Sequence, residues 1–164
     1  MRKESNLAAS IDNLYDAIRA EIPTYSRFVN KKEILNTYSL EDNPETFMTN
    51  SWGIKIGSGF RSEKDDPLID NFESTVRTIS IIISRAVYDV HGIGIEANET
   101  AKDLALDAQE LRANFLNTSK FGILKGGEEV TYEGDSGIEF IQDGQHRFIY
   151  TQVDFSFEIV QQIN

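Results

Sequence analysis

Ser136 sits in GDSG, Gly134–Gly137, a serine held between glycines as a nucleophile for acyl transfer would be. That chemistry needs a histidine to take the hydroxyl proton and a carboxylate to orient the histidine. His91 and His146 are the only histidines, and neither stands in a recognisable catalytic context. Ser136 is therefore expected to be a turn residue with no chemical task, replaceable by alanine at little cost. GIGIEA, Gly92–Ala97, has part of a glycine-rich dinucleotide loop, but Ala97 replaces the third glycine and no strand–helix–strand unit surrounds it. KGGEE, from Lys125, lacks the Gly-Lys-Ser/Thr ending of a phosphate loop. The histidines do not form a His-x-x-x-His pair. EKDD, Glu63–Asp66, lies close to Asp70 but lacks the spacing of a calcium loop. Catalytic, cofactor and metal residues are expected to be none.

The charge and composition restrict the function further. The chain has 164 residues, 40% of them hydrophobic, enough for one domain over 1–164 with a proper core. A net charge of −11 argues against a sequence-reading nucleic-acid binder, because phosphate contacts need Lys and Arg. It does not oppose DNA passing nearby, since an acidic wall lets a polyanion slide without sticking. Cysteine is absent, which removes thiol nucleophiles, disulfides and Cys-based zinc sites. The N-terminal stretch has scattered charges and no signal-peptide core, and the cluster Ile79–Ile83 is too short to cross a bilayer. A soluble protein outside the standard secretory route is the expectation. NET at Asn98 and NTS at Asn117 match glycosylation acceptors but read better as helix boundaries.

The hydrophobic spacing predicts the elements that would position any site. Leu7, Ile11, Leu14, Tyr15, Ile18 and Ile22 form a helical stripe that Pro23 ends. YSRFV, from Tyr25, is compatible with a short strand. Trp52, Ile54 and Ile56 alternate with Gly53, Lys55 and Gly57, which predicts a strand over Ser51–Phe60. The charged, proline-containing loop Arg61–Asn71 leads into a β-branched strand over Phe72–Val90. A second helix is predicted over Asn98–Asn117, with Ala101, Leu104, Ala105, Ala108, Leu111 and Phe115 inward. Glu99, Asp103, Asp107 and Glu110 are expected on its solvated face. The remainder reads as a β-meander, with turns at Gly126-Gly127, Gly134–Gly137 and Asp143–His146, closing on a strand from His146. In that strand Phe148, Tyr150, Gln152, Asp154, Ser156 and Glu158 point one way. Ile149, Thr151, Val153, Phe155, Phe157 and Ile159 point the other. The expected fold class is α+β: a mainly antiparallel mixed sheet with two amphipathic helices packed on it.

This layout resembles the tail terminator, or tail completion, proteins of long-tailed bacteriophages. The resemblance rests on an opening helix (SIDNLYDAIRAEI), a strand hairpin with a charged loop (SWGIKIGSGF to FESTVRTISIIISRA), a further helix (NETAKDLALDAQELRANFL) and a terminal meander ending in HRFIYTQVDFSFEIVQQI. It lies in order and texture, and no catalytic residue is carried over. The stretches Arg61–Asn71 and Lys120–Gly134 are where the chain departs from a minimal member. The resemblance implies a virion protein at the head-proximal end of the tail, made in the host cytoplasm. It would be a non-enzymatic ring, typically hexameric, that caps the tail tube protein, stops elongation and meets the head-connector or neck protein. Genomic DNA would pass through its lumen without sequence-specific binding, and no membrane is involved. The alternatives are another neck, head-completion or tail tube subunit, or a small cytosolic ligand-binding domain or enzyme. For the ring, the candidate interface residues are Arg61, Glu63, Lys64, Asp65, Asp66, Leu68 and Ile69 in the loop, and Phe155, Phe157 and Ile159 on the closing strand, which would meet Tyr15 and Ile18 of a neighbour.

Overall fold

β-Branched and aromatic residues at alternating positions build one mixed, mostly antiparallel sheet, and two helices pack on one of its faces. The computed structural model describes residues 12, 14–35, 37, 50–61, 72–87, 95–117, 129–143 and 146–162. Helix α1 covers 14–21 and runs into a 3-10 turn, Ile22–Thr24, where Pro23 prevents continuation. Thr24 Oγ1 donates to Glu21 O at 2.6 Å and satisfies a carbonyl at the helix end. The strands are β1 (Lys32–Ile34), β2 (Ser51–Arg61), β3 (Phe72–Ala86), β4 (Glu129–Asp135), β5 (Glu139–Asp143) and β6 (His146–Gln162), and helix α2 spans Ile95–Asn117. Among the described residues no helix is long and apolar enough to cross a membrane.

The sheet order is β1-β2-β3-β6-β4, with β5 also on β6. β6 is central. β3 pairs with it from Phe72↔Gln162 to Ala86↔Phe148. On its other side β4 takes the C-terminal half and β5 the N-terminal half. The pairing β1–β2 is parallel, and the rest are antiparallel.

The alternation in β6 becomes two faces. Ile79↔Phe155, Ile81↔Val153 and Ile83↔Thr151 lie side by side, and β2 adds Ile56, Ile54 and Trp52 in the same rows. Leu14 and Ile18 of α1, Tyr25 and Phe28 after it, and Leu104, Ala108, Leu111 and Phe115 of α2 close over that face. The rings of Phe115 and Phe155 lie 4.6 Å apart, and Tyr25 packs edge-on against Phe115 at 6.3 Å. The opposite face holds a small apolar cluster of Ile34, Ile82 and Phe148. Beside it Asp154 Oδ1 accepts from Ser80 Oγ at 2.6 Å and from Gln152 Nε2 at 2.8 Å.

Three expectations need correction. YSRFV is not a strand: residues 25–30 form turns that carry Tyr25 and Phe28 into the core. GDSG is not a hairpin turn either. Strands β4 and β5 both run antiparallel to β6, so they point the same way and form one broken edge. The break comes from a register shift between Tyr132 and Gly134 and from the positive φ of Gly134, 136°. Across it, Ser136 N donates to Gln152 O at 2.8 Å, and Gln152 N donates to Ser136 Oγ at 2.9 Å. Thr151 Oγ1 donates to Ser136 O at 2.9 Å. Ser136 thus replaces a missing rung of the ladder, a contact that the turn reading does not give its hydroxyl. Third, Phe155, Phe157 and Ile18 are fully buried, because β6 is flanked on both edges and covered by helices.

Candidate functional site

Two places among the described residues stand apart from ordinary packing. The first is built on α2, where Asp103, Asp107 and Glu110 fall at helical spacing on one side. That side meets the turn segment 26–31 instead of water. Glu110 Oε1 accepts from Ser26 N at 3.0 Å and Ser26 Oγ at 2.6 Å, and its Oε2 accepts from Arg27 N at 3.0 Å. Asp107 is fully buried. Its Oδ1 accepts from Arg27 Nε at 2.8 Å and Arg85 Nη2 at 3.0 Å. Its Oδ2 accepts from Arg85 Nε at 2.6 Å and pairs with Lys31 Nζ at 3.1 Å. One carboxylate therefore carries four contacts from three cations, about all its lone pairs allow.

Burial pushes the Asp107 carboxyl up, but the Arg85 hydrogen bonds, the Lys31 charge and the Arg27 hydrogen bond outweigh it and hold the group below its ordinary value. The Arg85 guanidinium is pushed up by its hydrogen bonds to Asp107. Lys31 goes the other way. Burial and the neighbouring arginine charges lower its ammonium to about 8, despite the attraction of Asp107. Its side chain is 2% exposed, and besides Asp107 it donates to Ser84 O at 3.4 Å. Beside the cluster lies an open cavity of about 300 Å³, lined by Ser26, Arg27, Asn30, Lys31, Asn50, Arg85 and Asp103.

The second place is the outer edge of β4 and β5. From Glu129 to Asp143 the sequence has Glu129, Glu133, Asp135, Glu139 and Asp143, and no Lys or Arg. Acids, short strands and a bulge are what soluble edges use to resist indiscriminate pairing. Against that acidic background Phe140 is 51% and Ile138 42% exposed. Tyr150 donates to Glu139 Oε2 at 2.7 Å, and Ser156 to Glu133 Oε1 at 2.7 Å, which fixes two of the acids.

Four of the candidate interface residues, Arg61, Phe155, Phe157 and Ile159, fall among the described residues. Arg61 ends β2. Glu63, Lys64, Asp65, Asp66, Leu68 and Ile69 lie outside the described residues. Phe155 and Phe157 are spent in the core, which removes them as contacts for a neighbour. Ile159 pairs in register with Thr75. Tyr15 is half-buried, with Arg19 Cζ 5.8 Å from its ring centre. The Asp107 cluster was not foreseen, because Asp107 read as part of a solvated acidic face. The available signal was its place, three residues after Leu104 and four before Leu111, inside the apolar stripe. Compared with known proteins, the sequence matches no family model and no curated protein.

Proposed function

We propose that this chain is a structural virion protein, a tail terminator that closes into a ring on the end of a phage tail tube. The observation that carries the reading is the β4–β5 edge. Its inner side is paired with β6, while Phe140 and Ile138 stay exposed on either side of Glu139, which Tyr150 holds. Such an edge rejects generic partners and selects one whose surface fits both the apolar pair and the charges. A contact between this edge and a different patch on the next copy is heterologous, and it closes into a ring when the rotation per subunit divides a full turn. The work of such a protein is geometric: it covers the last tube ring, excludes the next tube subunit and offers the head connector a surface. A net charge of −11 suits a lumen that DNA traverses without binding.

Tail tubes assembled without this protein test the reading. With the purified chain added, negative-stain images should show one tube end capped and tube length held constant. Uncapped tubes of unrestricted length, together with absence of the chain from purified virions, defeat it. Open stacks of the chain alone would instead favour a tube subunit. A second reading, a ligand-binding domain, is favoured by the cation-lined cavity beside Asp107. A monomer that binds a small ligand and ignores tubes would select it.

A further inference from the structure

We propose that the cavity beside Asp107 is a receptor for one oxyanion group, a carboxylate or a phosphate, held by Arg27, Lys31 and Arg85. The basis is three cations set round a cavity whose lining holds one acid, Asp103, in an acidic chain. Three cations meet on the buried carboxylate of Asp107. Asp103, the acid in the lining, is only a loose partner, 3.7 Å from Arg27 Nη2 with half its side chain exposed. Glu110 is committed to Ser26 and the Arg27 amide. Arg85 gives Nε and Nη2 to Asp107, and Arg27 gives Nε to Asp107 and Nη2 to Asp103 O. Each arginine keeps an Nη1 amino group without a partner among the described residues. One free amino group from each arginine can donate to a planar or tetrahedral oxyanion, a charge-assisted bond from either side. Asn30 and Asn50 add neutral amides to the lining.

Burial lowers the Lys31 ammonium to about 8; the attraction of Asp107 opposes this and outweighs the facing Arg85 and Arg27 charges. An anion in the cavity favours the charged form of Lys31 and gives the site a pH signature. The charged groups lining the cavity are Arg27 and Lys31 from the turn segment, Arg85 from β3 and Asp103 from α2, with Asp107 of α2 buried behind Lys31. Of these, Lys31 is the one that titrates in mildly alkaline solution, so affinity falls as pH rises through about 8.

The experiment uses the full chain at pH 7, titrated with inorganic phosphate and separately with acetate by calorimetry and thermal melting. Chloride keeps the ionic strength constant, because phosphate at high concentration stabilises proteins by exclusion from their surface. The expected result is saturable binding in the millimolar range or tighter, with a melting temperature that rises with ligand as binding to the folded state requires. Asn30→Asp and Asn50→Asp each place a competing carboxylate in the lining without touching Asp107, and should weaken binding at least ten-fold. Binding of phosphate alone identifies a phosphate-type ligand. Binding of acetate as well identifies a carboxylate, supplied by a second copy if added phosphate lowers the mass in solution, and by a free anion if the mass is unchanged. No saturable response to either anion overturns the proposal. So does binding that survives unchanged in both variants. Neither failure bears on the capping of tail tubes.

Discussion

Asp107 is the residue on which the turn segment, β3 and α2 converge, and it can be tested alone. Asp107→Asn keeps the shape but removes the charge, leaving Lys31, Arg27 and Arg85 crowded without compensation. Breaking a buried pair this way costs about 3–5 kcal/mol, which urea unfolding will read directly. Because the folded-state carboxyl lies below its ordinary value of 3.8, the contribution is complete above that value and is lost as pH falls through the folded one. Acid titration of stability should therefore be steeper in the wild type than in Asp107→Asn. Lys31 has the opposite sign. Its folded value of about 8 lies below the ordinary 10.5, so between those limits the unfolded chain holds the extra proton and stability rises with pH. Lys31→Met should abolish that rise; unfolding measured from pH 7.5 to 9.5 checks it. An unchanged slope in the variant assigns the rise to another group. None of these partners could be read from the sequence. Arg27 and Arg85 are 80 and 22 residues from Asp107 along the chain, and only the fold brings them together.

The elements were more legible than their joints. The predicted second helix, Asn98–Asn117, is observed as Ile95–Asn117, because its apolar stripe repeats over many turns. The closing strand begins at His146 as its alternation requires, and β2 starts at Ser51. The short parallel strand β1 and the break between β4 and β5 were hidden, since both depend on what lies alongside. β1 owes its place to a close approach: a Cβ on Gly53 would lie 2.6 Å from Thr37 Cγ2 and 2.9 Å from Ile34 O. Thr37 Oγ1 meanwhile donates to Ile54 O at 2.9 Å. Gly53→Ala should push β1 off β2 and cost about 1–3 kcal/mol, the range for overpacking a tight site. Retained stability with unchanged protection of the β1 amides would show that the strand can yield. At the break, Ser136→Ala removes the acceptor for Gln152 N–H. Leaving that donor unsatisfied costs about 1–3 kcal/mol if water cannot replace the hydroxyl. Hydrogen exchange at the Gln152 amide should accelerate in the variant, and a loss under about 0.5 kcal/mol would return Ser136 to the idle role its sequence context suggested.

For the whole molecule, β6 as the central strand changes where a neighbour can attach. Its apolar residues Val153, Phe155 and Phe157 are buried within the subunit, so a ring of the proposed kind would have to close without them. The remaining apolar contact area on the broken edge is Phe140 and Ile138. A stable interface of ordinary size buries about 1,600 Å² in total, with a few anchors carrying most of the energy. Phe140 is the natural anchor: large, half exposed, and held on a strand whose other side is paired to β6. The double variant Phe140→Asn, Ile138→Asn should therefore separate folding from assembly. Removing exposed apolar groups ordinarily moves monomer stability by about 0.5 kcal/mol or less. If the proposed ring closes through this edge, the same change removes its anchor, so tube capping and any higher-mass species should disappear. On the same proposal Asp107→Asn should have the reverse signature, a weakened subunit whose edge is intact and which still caps tubes at low temperature. If the double variant caps tubes as well as the wild type does, the β4–β5 edge is not the contact between subunits, and a terminator ring would have to close through another surface.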